Sequence, residues 1–146
     1  MDRAQIAKEN FTSGKNCSQS VVLAFKDVLG LDEQTLNKLS LAFGGGFARK
    51  RLICGAVSGM AMVISSVYTN KQSDNKIEVY KIVQKACDMV EKELGSIICA
   101  DLLQEDGKDT SPNAEPRTKE YYKKRPCAEI CAIVAKITQE IISQKV

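Results

Sequence analysis

The chain has 146 residues, 44% hydrophobic and 27% charged, which is enough apolar material for one core and rules out a disordered chain. Its net charge of +3, from 21 basic and 18 acidic residues, is too balanced to point to nucleic acid. Histidine is absent, which excludes a Cys–His dyad, a Cys2His2 zinc site and c-type haem attachment.

Six cysteines remain to be explained. Met1 to Ile6 has no apolar run of the kind a signal peptide needs, so a cytoplasmic setting with reduced thiols is expected. Structural disulfides are then not the reason for the sulfur. Leu52 to Asn70 is uncharged and about the length of a bilayer span. Its Gly55, Ser58, Gly59, Ser65 and Ser66 mark it instead as the central helix of a packed core, with no membrane insertion.

Apolar periodicity near 3.6 recurs along the chain and period-two alternation does not persist, so the fold class is all-α. A first helix is expected over about 2–12, with Gly14 at its end. Asn16 caps a second that presents Val21, Ala24, Phe25 and Val28 on one face and stops at Gly30. Asp32 caps a third, over 33–42. Gly44-Gly45-Gly46 is a flexible break, and the small-residue helix follows over 52–68. Ser73-Asp74 opens a long helix to Leu94, with Tyr80, Val83, Cys87, Val90 and Leu94 inward. Ser96 caps a short turn through Cys99 to Leu103, and 105–116 is a polar loop. A short helix over 117–124 precedes a final one from Pro126 to about Gln144, with Ile130, Val134, Ile137 and Ile141 inward. The expectation is a compact bundle of about five to seven helices, one domain over residues 1–146.

Charge is unevenly spread in the last third. Residues 101–115 hold five acids and one base, and 116–125 hold five bases and one acid. These read as two solvated stretches that attract each other.

On this map Cys17, Cys54, Cys99 and Cys127 each fall in the first turn of a helix. The unpaired N–H groups and partial positive charge there stabilise a thiolate and lower its pKa. That favours both thiol exchange and metal ligation. Cys87 lies mid-helix on an apolar stripe and reads as core packing. Cys131 shares a face with Cys127 and is either packing, a fifth ligand or a resolving thiol. Gly55 and Gly59 lie on one helix face and admit a close neighbour, either another helix or a cofactor. Gly44-Gly45-Gly46 with Arg49-Lys50-Arg51 lacks the Gly-Lys-Ser/Thr ending of a phosphate loop. Those bases either raise the potential near Cys54 or are solvated.

Asn16-Cys17, the glycine run before Cys54-Gly55-Ala56-Val57-Ser58-Gly59, then Cys99 and Cys127, together resemble a small prokaryotic family. That family is defined by the order Cys … Cys-Gly-Ala-x-x-Gly … Cys … Cys and is described as redox-active. Cys87 and Cys131 match no family position. Some relatives resemble haem proteins, but with no histidine the resemblance does not carry haem to this chain.

Two chemistries follow. In one, two or more of the four thiols cycle between dithiol and disulfide with a redox partner, Cys54 being the expected attacking sulfur. In the other, the four thiolates hold zinc or an iron–sulfur cluster. A third reading is a helical interaction module whose cysteines merely pack, and a homo-oligomer is open under each of the three.

Overall fold

The computed structural model describes residues 1–73 and 75–145. The α-helices found there are α1 (Arg3–Thr12), α2 (Cys17–Leu23), α3 (Lys26–Leu29), α4 (Glu33–Ser40), α5 (Gly55–Tyr68), α6 (Lys76–Leu94), α7 (Cys99–Leu103), α8 (Lys119–Lys124) and α9 (Cys127–Ser143). Short 3-10 turns follow α4 at Leu41–Phe43 and α7 at Gln104–Lys108. The fold is all-α; β pairing among the described residues is an isolated antiparallel bridge between Ile53 and Ile98.

Local chemistry sets several helix starts. Asp2, Asn16, Asp32 and Thr118 each accept a hydrogen bond from the backbone N–H three residues on, and each immediately precedes a helix. Gly95 ends α6 in the left-handed conformation. The expected start of that helix at Asp74 lies outside the described residues; α6 itself begins at Lys76.

The nine described helices exceed the expected five to seven, partly because the second expected helix is broken. The Ala24 and Phe25 N–H groups bond back only three residues, to Val21 and Val22, and the chain turns sharply. The turn drives Phe25 fully into the core. It also frees the Ala24 carbonyl, which accepts from Arg3 Nη1 at 2.9 Å. The same guanidinium pairs with Asp27 and lies 4.8 Å from the Phe25 ring centroid.

Helix α5 is central, packing against α2, α3, α6 and α9, while α1 lies along α2 and α9. Ala56, Met60, Val63 and Ile64 of α5 are fully buried. On α9, Ile130, Val134, Ile137 and Ile141 point inward. On α6, Val90 is fully buried and Val83, Cys87 and Leu94 pack against the core as expected, but Tyr80 is 60% exposed and Val79 and Ala86 are buried in addition. Among the described residues no helix is long and apolar enough to cross a membrane.

Helix α5 begins at Gly55 rather than Leu52. Residues 52–54 are extended and lie beside the segment that leads into α7. The Cys54 N–H donates to the Ile97 carbonyl at 2.8 Å, and the Cys99 N–H to the Leu52 carbonyl at 2.6 Å. This pairing sets the starts of α5 and α7 side by side.

Candidate functional site

The starts of α2, α5, α7 and α9 converge on one small space. Asn16 and Gln19 form a reciprocal capping box, with bonds of 2.9 and 3.1 Å, and so fix Cys17 as the first residue of α2. Cys99 and Cys127 are the first residues of α7 and α9, and Cys54 directly precedes α5. All four line a cavity of about 60 Å³. Cys87 and Cys131 do not line it: Cys87 is half-buried on α6, and Cys131 is fully buried on α9, its thiol 3.8 Å from the Cys17 carbonyl.

The glycines of the Cys-Gly-Ala-x-x-Gly segment explain how Cys17 reaches Cys54. A Cβ on Gly55 would lie 2.6 Å from Cys17 Sγ and 2.8 Å from the Phe43 carbonyl oxygen. A Cβ on Gly59 would lie 3.1 Å from the Ser18 carbonyl oxygen and 3.3 Å from Val21 and Val22. Helix α2 therefore covers both glycines. Of the two neighbours expected for this face, a helix or a cofactor, the one seen against these glycines is a helix, α2.

The glycine run is not a loose break. Gly45 and Gly46 are left-handed, with φ of 68° and 71°, and so are Phe47, Ala48, Arg49 and Arg51. Left-handed backbone costs a non-glycine residue roughly 1–2 kcal/mol. Backbone bonds from Ala48 to Ala42 (2.7 Å) and Leu52 to Gly46 (2.8 Å) hold the coil closed. It presses Gly46 against Cys99, where a Cβ would lie 2.5 Å from Cys99 Cβ, and brings Gly45 to the cavity wall. Strain of this kind collects where a structure over-determines a functional geometry.

The expected lowering of all four thiol pKa values is found at Cys17 alone. The Cys54 thiol hydrogen-bonds the Cys17 sulfur, backbone N–H groups of Gly45, Ser18 and Cys17 assist, and the Cys17 pKa falls from 9.0 to about 6 in spite of burial. The same bond, followed by burial, holds Cys54 well above the ordinary thiol range. The expectation that Cys54 is the most acidic sulfur is therefore reversed, because only one of two touching thiols can give up its proton easily. Burial also raises Cys99, against the opposing pull of Arg51 Nη1 at 3.7 Å. It pushes Cys127 up to about 12, helped by the charge on Cys17. Cys87 and Cys131 are raised by burial too. At Cys99 and Cys127 desolvation outweighs the helix terminus, and at Cys54 the neighbouring Cys17 does so together with burial.

The sequence leaves Arg49-Lys50-Arg51 either raising the potential near Cys54 or solvated. Arg51 is buried, but beside Cys99, while Lys50 is exposed. Sequence reasoning missed Arg117, Arg125 and Tyr121 on the same cavity wall. Arg117 lies 4.3 Å from the Phe11 ring centroid and 4.9 Å from that of Tyr121, and donates to the Phe11 and Lys15 carbonyls at 3.0 Å. Arg125 is 6% exposed and pairs with Glu115. The acidic and basic stretches do attract each other, through that pair and Lys124–Asp106, but Arg125 is not solvated. The signal present in the sequence was five bases in ten residues, directly before Cys127.

Among the described residues, no three Cys, Asp or Glu side chains are gathered closely enough to hold a metal ion. What fold and cavity define is an all-α protein with four thiols around one buried cavity, Cys17 the most acidic of them, and arginines on its wall.

The chain belongs to the family described as "Putative redox-active protein (C_GCAxxG_C_C)", which matches residues 15–141. Where that label writes Gly-Cys-Ala, this chain reads Cys54-Gly55-Ala56. No curated protein and no solved structure matches the chain.

Proposed function

We propose that this protein is a two-electron thiol redox protein whose working couple is Cys17 and Cys54. The observation that carries the reading is the close seating of Cys17 beside Cys54: both line one cavity, and only the missing side chain of Gly55 leaves room for Cys17 Sγ. With the Cys54 thiol as the largest cause, Cys17 is lowered to about 6 while Cys54 is held protonated. The Cys17 thiolate attacks one sulfur of a disulfide oxidant and expels one half of it as a thiolate. Cys54 then loses its proton and attacks Cys17, expelling the other half. The oxidant gains two electrons, and Cys17 and Cys54 are joined by a new disulfide.

Cys99 and Cys127 stand by as neutral thiols within the same cavity. A cytoplasmic location and operation of the whole chain as one domain belong to this proposal. So does a separate redox partner that re-reduces the pair.

A second reading, zinc or an iron–sulfur cluster held by Cys17, Cys54, Cys99 and Cys127, is favoured by one observation: the four share a single cavity. It requires the side chains to draw closer than they lie here. One experiment separates the two. Protein purified without oxygen is measured for visible absorbance, iron, sulfide and zinc, and its free thiols are counted before and after a mild disulfide oxidant. Thiol exchange predicts a reversible loss of thiols in metal-free protein. A stoichiometric chromophore or zinc, with no such loss, supports the second reading and rejects the first.

A further inference from the structure

The thiol cavity continues outward. Asn16, Gly45, Arg51, Arg117, Tyr121 and Arg125 also line a second, larger cleft of about 330 Å³. The cleft reaches exposed residues such as Leu41 and Pro112 at its rim. Arg49 completes a set of four guanidiniums around it, against one lining carboxylate, Glu115.

Two of the four guanidiniums have no carboxylate partner among the described residues. Arg51 donates to the Asp109 carbonyl and the Cys99 sulfur, and Arg117 to the carbonyls of Phe11 and Lys15. Arg49 meets the Asp109 carboxylate and Arg125 meets Glu115. Set against Asp109, Glu115 and the Cys17 thiolate, the four guanidiniums still leave one positive charge over.

Two donors are also idle. The Arg125 side chain is 3% exposed, yet its Nε has no hydrogen-bond partner among the described residues, and the Arg49 Nε is in the same position. A buried cationic donor without an acceptor is unfavourable, so these two guanidiniums are under-satisfied as they stand and gain from an anion brought to the cleft they line. The group already on Arg125 shows which kind of acceptor fits: a carboxylate, on the loop that edges the cleft.

We propose that the arginine cleft binds the carboxylate arm of a small anionic disulfide and lays its S–S bond against Cys17. This rests on the thiol-exchange reading above. The volume suits a small molecule. The step is the one already written: Cys17 takes one sulfur, Cys54 displaces it, and the anionic disulfide leaves as two thiols carrying the two electrons.

The test compares two oxidants on the reduced, full-length protein by stopped flow: the dianionic dithiobis-nitrobenzoate and the uncharged dipyridyl disulfide. Each rate is divided by that of the same reagent with a small free thiol, which removes intrinsic reactivity. The expected normalised rate for the dianion is at least about tenfold higher and falls as salt is added. Arg125→Gln and, separately, Arg49→Gln narrow the ratio. Equal normalised rates in the unmodified protein overturn the anion site, and that comparison needs no variant to fold. The products are mapped in the same experiment. A Cys17–Cys54 disulfide formed by both reagents at equal normalised rates rejects the anion site alone. No such disulfide with either reagent rejects the thiol-exchange reading and the anion site with it.

Discussion

Cys17 Sγ sits beside Cys54 in one cavity, in the room that Gly55 leaves by having no side chain, and the Cys54 thiol is the largest cause that lowers Cys17 to about 6. The sign of the pH dependence follows. Alkylation of Cys17 by iodoacetamide accelerates as pH rises through about 6 and is level well before the ordinary thiol value of 9.0. Cys54→Ala removes the largest cause of the lowering and moves the inflection upward. Rates at Cys17, followed by peptide mass spectrometry, check both statements. An inflection near 9 in both proteins would show that Cys54 does not tune the sulfur.

The two glycines after Cys54 differ in the room they leave. Gly55→Ala puts a methyl 2.6 Å from Cys17 Sγ and 2.8 Å from a backbone oxygen, and should destabilise by about 1–3 kcal/mol in urea titration. Gly59→Ala meets its neighbours at 3.1–3.3 Å, a smaller overlap. There the gain in helix propensity, about 1 kcal/mol, offsets much of the strain. Equal destabilisation of the two variants would contradict this account of the motif.

Asn16→Ala breaks the capping box and the bond from Asn16 Nδ2 to the Leu41 carbonyl at 2.9 Å. A loss of about 1 kcal/mol is expected by thermal or urea unfolding. Because Cys17 is the next residue, its alkylation should also lose selectivity over Cys87. Unchanged stability would mean that the box does not hold the start of α2.

Cys99→Ser and Cys127→Ser separate the two site chemistries. Thiol exchange between Cys17 and Cys54 predicts that each variant still forms that disulfide under mild oxidant. Ligation by four sulfurs predicts that each variant loses bound metal. Thiol counting beside metal analysis reads both outcomes in one sample.

Much of the frame was legible because its causes are local. Asn16 and Asp32 announce helices through a bond made three residues away. Asn16 places Cys17 at a helix start, and Pro126 directly before Cys127 and Ser96 just ahead of Cys99 mark the other two. The break at Phe25 was not legible, since it is supported by Arg3 from another helix. The left-handed coil through Phe47, Ala48, Arg49 and Arg51 carries no local sign, because those residues do not favour it and tertiary packing imposes it. The site's polarity was hidden for a similar reason. Which thiol ionises depends on burial and on a partner distant in sequence. A basic residue such as Arg125 reads as solvated until Glu115 and Tyr121 are seen to enclose it.

The most direct measurement is disulfide mapping. Reduced protein is exposed to limiting oxidant, trapped by acid alkylation and digested, and the cross-linked peptides are identified by mass. The account predicts a peptide pair joining Cys17 to Cys54 as the first product, reversible by dithiothreitol. A first disulfide that uses Cys87, or one that omits Cys17, would contradict it.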